Sequence, residues 1–252
     1  MALKPGPLAT QIRIYLHKME AIILAGGLGE RLRSLGIVAP KPMLPVGHTP
    51  FLRYLLSYLT RNGINKIILS VGYQHDKITD YFGYSFKGVP IIYSIEDNPL
   101  GTGGAIKKAL LYCEKEYVWV LNGDTFFEVG INNMLETTLL QTSHLTMAVK
   151  PMGNFSRYGR VLIDSDNRIY RFEEKKEVEK GDINGGIYFL NSRYFLKKAT
   201  PDVFSFEKDF LEKYVDQDDF LAFKSDAYFI DIGVPEDYLK AQMDKSVFEK
   251  YE

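Results

Sequence analysis

The sequence predicts an α/β fold: a mixed, mostly parallel sheet flanked by helices, with a smaller antiparallel portion. Three observations carry that reading. In the first half, short β-rich runs alternate with helical patterns, as βαβ crossovers require. Those runs are continuously apolar, as strands covered by helices on both faces are. In the second half, runs are joined by short polar turns such as Asp164-Ser165-Asp166-Asn167, which suit antiparallel neighbours.

Taken in order, residues 1–18 mix Pro-Gly-Pro with Ile12-Arg13-Ile14-Tyr15-Leu16 and lack an apolar stretch of signal-peptide length. They read as an N-terminal extension, a tag or flexible arm, ahead of a single domain over 19–252. The first strand is 20–25. A helix follows over 49–62, with Thr49 as N-cap and Pro50 at its first position. Its residues Phe51, Leu52, Leu55, Leu56 and Leu59 recur at helical spacing and read as core. Strands at 66–71, 90–95 and 117–121 alternate with helices at 74–82 and 102–114. Strands at 145–150, 158–164, 168–173 and 184–190 come next, then helices at 204–214 and 234–248. No linker or internal repeat interrupts the chain.

Composition narrows the function classes. The chain has 252 residues, enough for a sizeable core, and a formal net charge of −1, so no global basic field awaits nucleic acid. A single cysteine, Cys113, excludes an intramolecular disulfide and a cysteine metal cluster. With no histidine near it in sequence, it reads as a small core residue near a helix end. His17, His48, His75 and His144 are scattered without metal-ligand spacing. No apolar run approaches the ~20 residues a bilayer needs. These features point to a cytoplasmic protein with neither membrane nor nucleic acid as partner; a homodimer is left open.

The chemistry sits at the strand ends. The first strand runs through Leu24 and Ala25 into Gly26-Gly27-Leu28-Gly29-Glu30-Arg31, and Lys41 follows ten residues later between Pro40 and Pro42. Glycines admit a polyphosphate close to the backbone, and Arg and Lys supply its counter-charge. The prolines stiffen the loop that presents Lys41. A dinucleotide fingerprint is disfavoured, because Leu32 stands where its third glycine belongs, Ser70-Val71-Gly72 ends the second strand without an acid, and Arg31 sits where the dinucleotide helix would begin. A Walker A loop is excluded, because no Gly-Lys-Ser/Thr follows.

A second glycine loop, Pro99-Leu100-Gly101-Thr102-Gly103-Gly104-Ala105, follows Glu96-Asp97-Asn98. It suits close approach to a flat or phosphorylated ligand, or a plain left-handed turn capped by Thr102. Asp124 ends the fourth strand after Asn122-Gly123, and Asp231 sits in Ile230-Asp231-Ile232-Gly233. Two such acids suit a shared Mg2+ or two separate turns. Phe172-Glu173-Glu174-Lys175-Lys176 reads as a solvated charge run. Asp182-Ile183-Asn184-Gly185-Gly186-Ile187-Tyr188 reads as a strand start with a glycine bend.

Together these motifs resemble the sugar-1-phosphate nucleotidyltransferases. That pattern is Leu-Ala-Gly-Gly-x-Gly-x-Arg-Leu, Pro-Lys-Pro-Met/Leu-Leu-Pro, Gly-Thr-Ala/Gly-Gly-Ala, Gly-Asp at a strand end, Phe-x-Glu-Lys, Asn-x-Gly-Ile-Tyr and Asp-Ile-Gly-x-Pro-Glu-Asp-Tyr. All occur here in order from Glu20 to about Leu239. The resemblance implies a Rossmann-like sheet with a nucleotide-binding first half and a sugar-binding antiparallel portion. It implies that Leu24, Ala25, Gly26, Gly27 and Gly29 wrap the nucleotide, with Glu96, Gly101 and Thr102 towards the base. Arg31 then grips the leaving pyrophosphate, Lys41 stabilises the reacting phosphates, and Lys175 meets the attacking phosphate. Asp124 and Asp231 hold Mg2+, and Gly123, Glu174, Asn184 and Gly186 serve the sugar side.

The implied reaction is in-line attack of a sugar 1-phosphate oxygen on the α-phosphorus of a nucleoside triphosphate. It needs no protein nucleophile. Guanine offers two neighbouring N–H groups that one carboxylate accepts, which suits Glu96 and favours GTP; uracil and thymine also offer an N–H. The look is nearest to guanylyltransferases of mannose or D-glycero-D-manno-heptose 1-phosphate that serve bacterial capsule and surface polysaccharides. Uridylyl-, thymidylyl- and cytidylyltransferases of the family stay open as alternatives. Ser34, Gly36, Lys176 and Gly185 depart from the family's Pro, Thr, Pro and Ala. A glycosyltransferase with a metal-binding Asp-x-Asp is disfavoured, because Thr125-Phe126 follow Asp124. A non-catalytic regulatory subunit is disfavoured by the presence of Arg31, Lys41, Asp124 and Asp231.

Overall fold

The computed structural model describes residues 18–27, 39–173, 177–199 and 201–252. Leu28, Gly29, Arg31, Ser34, Gly36, Glu174, Lys175, Lys176 and the extension through residue 17 lie outside the described residues.

The centre is four parallel strands: β1 (Met19–Leu24), β4 (Ile64–Val71), β6 (Val89–Ile95) and β7 (Tyr117–Asn122). β1 lies between β4 and β7, and β6 flanks β4. Between β1 and β4 stand the two-residue strands β2 (Pro45–Val46) and β3 (Thr49–Pro50), which pair antiparallel, and helix α1 (Phe51–Arg61). Helix α2 (His75–Phe82) and strand β5 (Ser85–Phe86) lead to β6, and α3 (Gly101–Ala109) leads to β7.

Alternate β1 side chains enter two cores. Ala21 and Ile23 pack with Phe51, Leu52 and Leu55 of α1, whereas Ile22 packs with Ile106 and Ala109 of α3. Helices on both faces therefore bury the whole strand, which is why it reads as an unbroken apolar run.

The antiparallel half begins after β8 (Thr125–Phe127) and helix α4 (Ile131–Gln141). β9 (Leu145–Phe155) and the fourteen-residue β12 (Val178–Asn191) pair over most of their length. Between them in sequence lie β10 (Arg160–Ile163) and β11 (Ile169–Glu173). β12 lies antiparallel against β7 and joins this half to the parallel strands. The chain finishes with α5 (Ser192–Lys198), a π-helical turn Phe206–Leu211, α6 (Glu212–Tyr214), β13 (Phe220–Lys224), β14 (Phe229–Asp231), α7 (Pro235–Met243) and α8 (Lys245–Glu249).

Several sequence expectations shift. α1 starts at Phe51 with Pro50 before it; Thr49 lies in β3 against Val46 and is not its cap. The predicted helix 102–114 is α3 followed by a tighter turn, Leu110–Tyr112. Cys113 closes that turn, and burial pushes its thiol up to about 12, which suits an inert packing role. The pairing of β9 with β12 runs out into a polar arm that pairs Pro151 with Asp182 and Gly153 with Lys180. Backbone pairing sustains that arm where side-chain patterning gives no strand signal.

Candidate active site

A cleft of about 580 Å³ opens at the carboxyl ends of β1, β4, β6 and β7, the expected ligand position in such sheets. Its walls include Leu24, Gly26, Gly27, Gly72, Tyr73, Glu96, Gly101, Thr102, Asn122 and Asp124. Short backbone bonds pin the strand ends together: Ala25 N–H to Ser70 O at 2.7 Å, Glu96 N–H to Val71 O at 2.8 Å, and Gly123 N–H to Leu24 O at 2.9 Å.

The glycines divide by what surrounds them. A Cβ on Gly26 would sit 3.4 Å from Glu96 Oε1, and one on Gly27 no nearer than 4.0 Å to Lys41 Cδ. The fold itself therefore leaves room there, on the cleft wall. Gly101, at φ +70°, would meet Phe204 O at 2.5 Å; Gly103 would meet the Phe204 ring at 2.2 Å, and Gly104 would meet Asp202 O at 2.2 Å. The second glycine loop is needed by the segment 202–204 that crosses it. Thr102 does not cap its own helix, since Leu100 takes the N-cap position. Its hydroxyl donates to Glu207 Oε2 at 2.7 Å and accepts the Phe206 N–H at 2.8 Å, tying the loop to the π-helical turn.

Glu96 stands in the cleft with both oxygens engaged. Ser70 Oγ donates to Oε1 at 3.0 Å, and the Leu100 N–H donates to Oε2 at 3.1 Å. Each oxygen has a further lone pair for a ligand.

Pro40 opens a single 3-10 turn, Lys41–Met43, closed by the Leu44 N–H on Lys41 O. From it Lys41 Nζ reaches Asp124 Oδ2 at 3.1 Å. Antiparallel pairing of β14 with β8 sets Asp231 opposite Thr125, and the Ile232 N–H donates to Asp124 O at 2.9 Å. Two aspartates more than a hundred residues apart thus share one place. Burial first, and Asp124 second, push the Asp231 carboxyl up to about 6; the Gly233 N–H, Lys41 and Arg157 oppose that rise.

The donor chemistry fits a hard divalent cation. Among the described residues no group of three or more His, Cys, Asp or Glu could hold a metal. Mg2+ is commonly bound through one or two carboxylates plus substrate phosphates, so Asp124 and Asp231 suit it.

Asn184 and Gly186 stand further along β12, outside the cleft wall. Asn184 donates to Tyr188 Oη at 2.6 Å and accepts the Gly186 N–H at 3.0 Å. Gly186 has φ +70°, and its Cβ would meet Asn122 Nδ2 at 2.7 Å. A Cβ on Gly185 would meet Phe127 at 2.7 Å and Ala148 O at 2.8 Å, so the backbone there packs tightly. A Cβ on Gly123 would likewise come within 2.7 Å of Leu24 O.

Sequence reasoning missed Gly72, Tyr73, Asp97, Asn122 and Glu207 on the cleft wall. The strand-end rule alone would have found the first four. Glu207 carries no local signal. Arg157 and Tyr158 were also missed; both act electrostatically on or with Asp231.

The chain matches the nucleotidyl transferase family over residues 20–246. The D-glycero-alpha-D-manno-heptose 1-phosphate guanylyltransferase of Aneurinibacillus thermoaerophilus is 52% identical over 224 residues, 89% of this chain and 97% of the relative. The enzyme of the same name from Campylobacter jejuni subsp. jejuni is 46% identical over 220 residues, 87% and 97% of the two chains. Among solved structures, HddC from Yersinia pseudotuberculosis complexed with GMP-PN superposes with TM-score 0.81 at 40% identity, covering 90% of this chain and 99% of that one.

Proposed function

The chain belongs to the nucleotidyl transferase family, and from that premise we propose that it makes GDP-D-glycero-alpha-D-manno-heptose and pyrophosphate from GTP and the heptose 1-phosphate. An oxygen of the sugar phosphate attacks the α-phosphorus in line, the bond from that phosphorus to the bridging oxygen breaks, and pyrophosphate leaves with the electron pair. The carrying observation is the Lys41–Asp124 pair at the carboxyl end of β7, with Asp231 beside it. Support for heptose and guanine comes from the names of the relatives at 52% and 46% identity and from the GMP-PN complex of HddC.

The residues divide the work. Leu24, Ala25, Gly26 and Gly27 offer backbone to the triphosphate, and Glu96 accepts from the guanine pairing edge. Lys41 holds a fixed positive charge towards the reacting phosphates, where it opposes the charge that grows in the transition state. Asp124 and Asp231 would hold Mg2+, which neutralises phosphate charge when bound. Gly101 and Thr102 shape the nucleotide side, and Gly123, Asn184 and Gly186 the sugar side. By motif match, Gly29 and Arg31 extend the phosphate loop, and Glu174 and Lys175 reach the sugar phosphate. We place the reaction in the cytoplasm, in supply of activated heptose for surface polysaccharide.

A matrix of GTP, ATP, UTP, CTP and dTTP against heptose, mannose and glucose 1-phosphates, read by pyrophosphate release, tests this reading. GTP with the heptose phosphate should give the highest kcat/KM. Release only with another pairing, or with none, would overturn it.

A further inference from the structure

Arg157 lies in the turn between β9 and β10. Its Nη2 donates to an Asp237 carboxylate oxygen and, at 3.1 Å, to Tyr158 Oη. Asp237 is in the first turn of α7, shortly after Asp231 and Gly233. The Tyr158 ring packs edge-on to Phe229, in the strand that carries Asp231, at 5.7 Å between centroids. Arg157 and Asp231 act on each other electrostatically. The Asp237 bond and the Tyr158–Phe229 contact thus hold the guanidinium on the β14–α7 corner that carries Asp231, and only one of its nitrogens is used in the two bonds above.

We propose that Arg157 is a further phosphate-binding residue, whose remaining N–H donors take the phosphate of the sugar 1-phosphate. A guanidinium is a planar fork matched to phosphate oxygens. Asp237 and Tyr158 hold that fork in place, which lowers the entropy lost when a phosphate binds. With Lys41 and Arg157 against Asp124, Asp231 and Asp237, a divalent cation turns the cluster positive, suited to two phosphorylated substrates. The sugar phosphate is favoured over the triphosphate because Arg157 belongs to the antiparallel half. Gly159 O, two residues on, accepts the backbone N–H of Asn184 at 3.1 Å. This inference rests on the nucleotidyl transfer reading.

The experiment compares Arg157→Gln, Arg157→Lys and Asp237→Asn with the unaltered enzyme on whichever substrate pair that enzyme turns over best. Arg157→Gln should raise the KM for the sugar phosphate about tenfold or more, the loss of a charge-assisted bond, and leave the KM for the triphosphate within about threefold. Arg157→Lys should recover part of the loss, and Asp237→Asn should keep most of the affinity. Equal losses in Arg157→Gln and Asp237→Asn, tracking their melting temperatures, would show a purely structural ion pair and overturn the proposal. A rise confined to the triphosphate KM would overturn it too. The thermal shift given by heptose 1-phosphate alone needs no turnover. A full shift in Arg157→Gln would sink the proposal even where the reaction itself had been misread.

Discussion

Lys41 Nζ lies 3.1 Å from Asp124 Oδ2, so a cation carried by one proline-flanked turn is fixed on the carboxylate that follows a central parallel strand. The pair gives Lys41 one position, and a positioned charge is what electrostatic stabilisation of a phosphoryl transition state needs. Lys41→Met should lower kcat about 100-fold or more, with a melting temperature within a few degrees of the parent. Lys41 also opposes the upward push on Asp231. The same variant should therefore move the acid limb of the pH–rate profile to higher pH. Pyrophosphate release from pH 5 to 9 measures both effects.

Asp231 gives a pH dependence with a definite sign. Its folded carboxyl is raised from 3.8 to about 6, chiefly by burial. The unfolded chain therefore loses this proton first, and between pH 4 and 6 the native state binds more protons than the unfolded one. Stability drawn from this group falls as pH rises through that window. Without added metal, the melting temperature should drop from pH 5 to pH 7 more in the parent than in Asp231→Asn. Mg2+ should raise the melting temperature of the parent more at pH 7 than at pH 5, since it binds the ionised form. A larger shift at pH 5 would show that Asp231 is no ligand.

Base selection is tested at Glu96. Its carboxylate takes the Ser70 hydroxyl and the Leu100 N–H and faces the cleft. ITP keeps the N1–H of guanine and lacks its amino group. The parent should prefer GTP to ITP about tenfold or more. Glu96→Gln keeps the side-chain shape while removing one acceptor oxygen. It should bring that preference close to unity, at a cost in kcat/KM for both triphosphates. An unchanged ratio of the two kcat/KM values would move guanine readout elsewhere on the wall.

The sequence read best where structure is local and repetitive. β1, β4 and β7 were legible because both their faces are largely buried, which leaves unbroken apolar runs such as Ala21-Ile22-Ile23-Leu24, whereas the half-exposed β6 was legible from Val89-Pro90-Ile91-Ile92, a run rich in β-branched residues. The meeting of Asp124 with Asp231 was legible only through motif resemblance. The physical link is the β8–β14 pairing across more than a hundred residues, which no local pattern encodes. α4 was missed because Asn132, Asn133, Thr137 and Thr138 are weak helix formers; the buried Thr138 hydroxyl instead bonds Met134 O and Thr146 Oγ1. Glu207 was invisible for a similar reason. Its place on the wall depends on Thr102, far away in sequence.

The two glycine loops should respond oppositely to the same substitution. At Gly26 and Gly27 an added Cβ finds 3.4 Å or more of clearance from the protein, so alanine costs the fold little. If a triphosphate occupies that wall, the same methyl group meets the ligand. Gly26→Ala and Gly27→Ala should keep cooperative melting near the parent temperature and weaken GTP binding about tenfold or more. At Gly104 the added Cβ lands 2.2 Å from Asp202 O, a backbone atom that cannot yield without moving the segment across α3. Gly104→Ala should lower the melting temperature by several degrees, as strain in a packed core does. Thermal melts by circular dichroism, paired with GTP titrations by calorimetry, separate the two classes. Parent-like GTP affinity in both Gly26→Ala and Gly27→Ala would mean that the triphosphate does not lie against this loop.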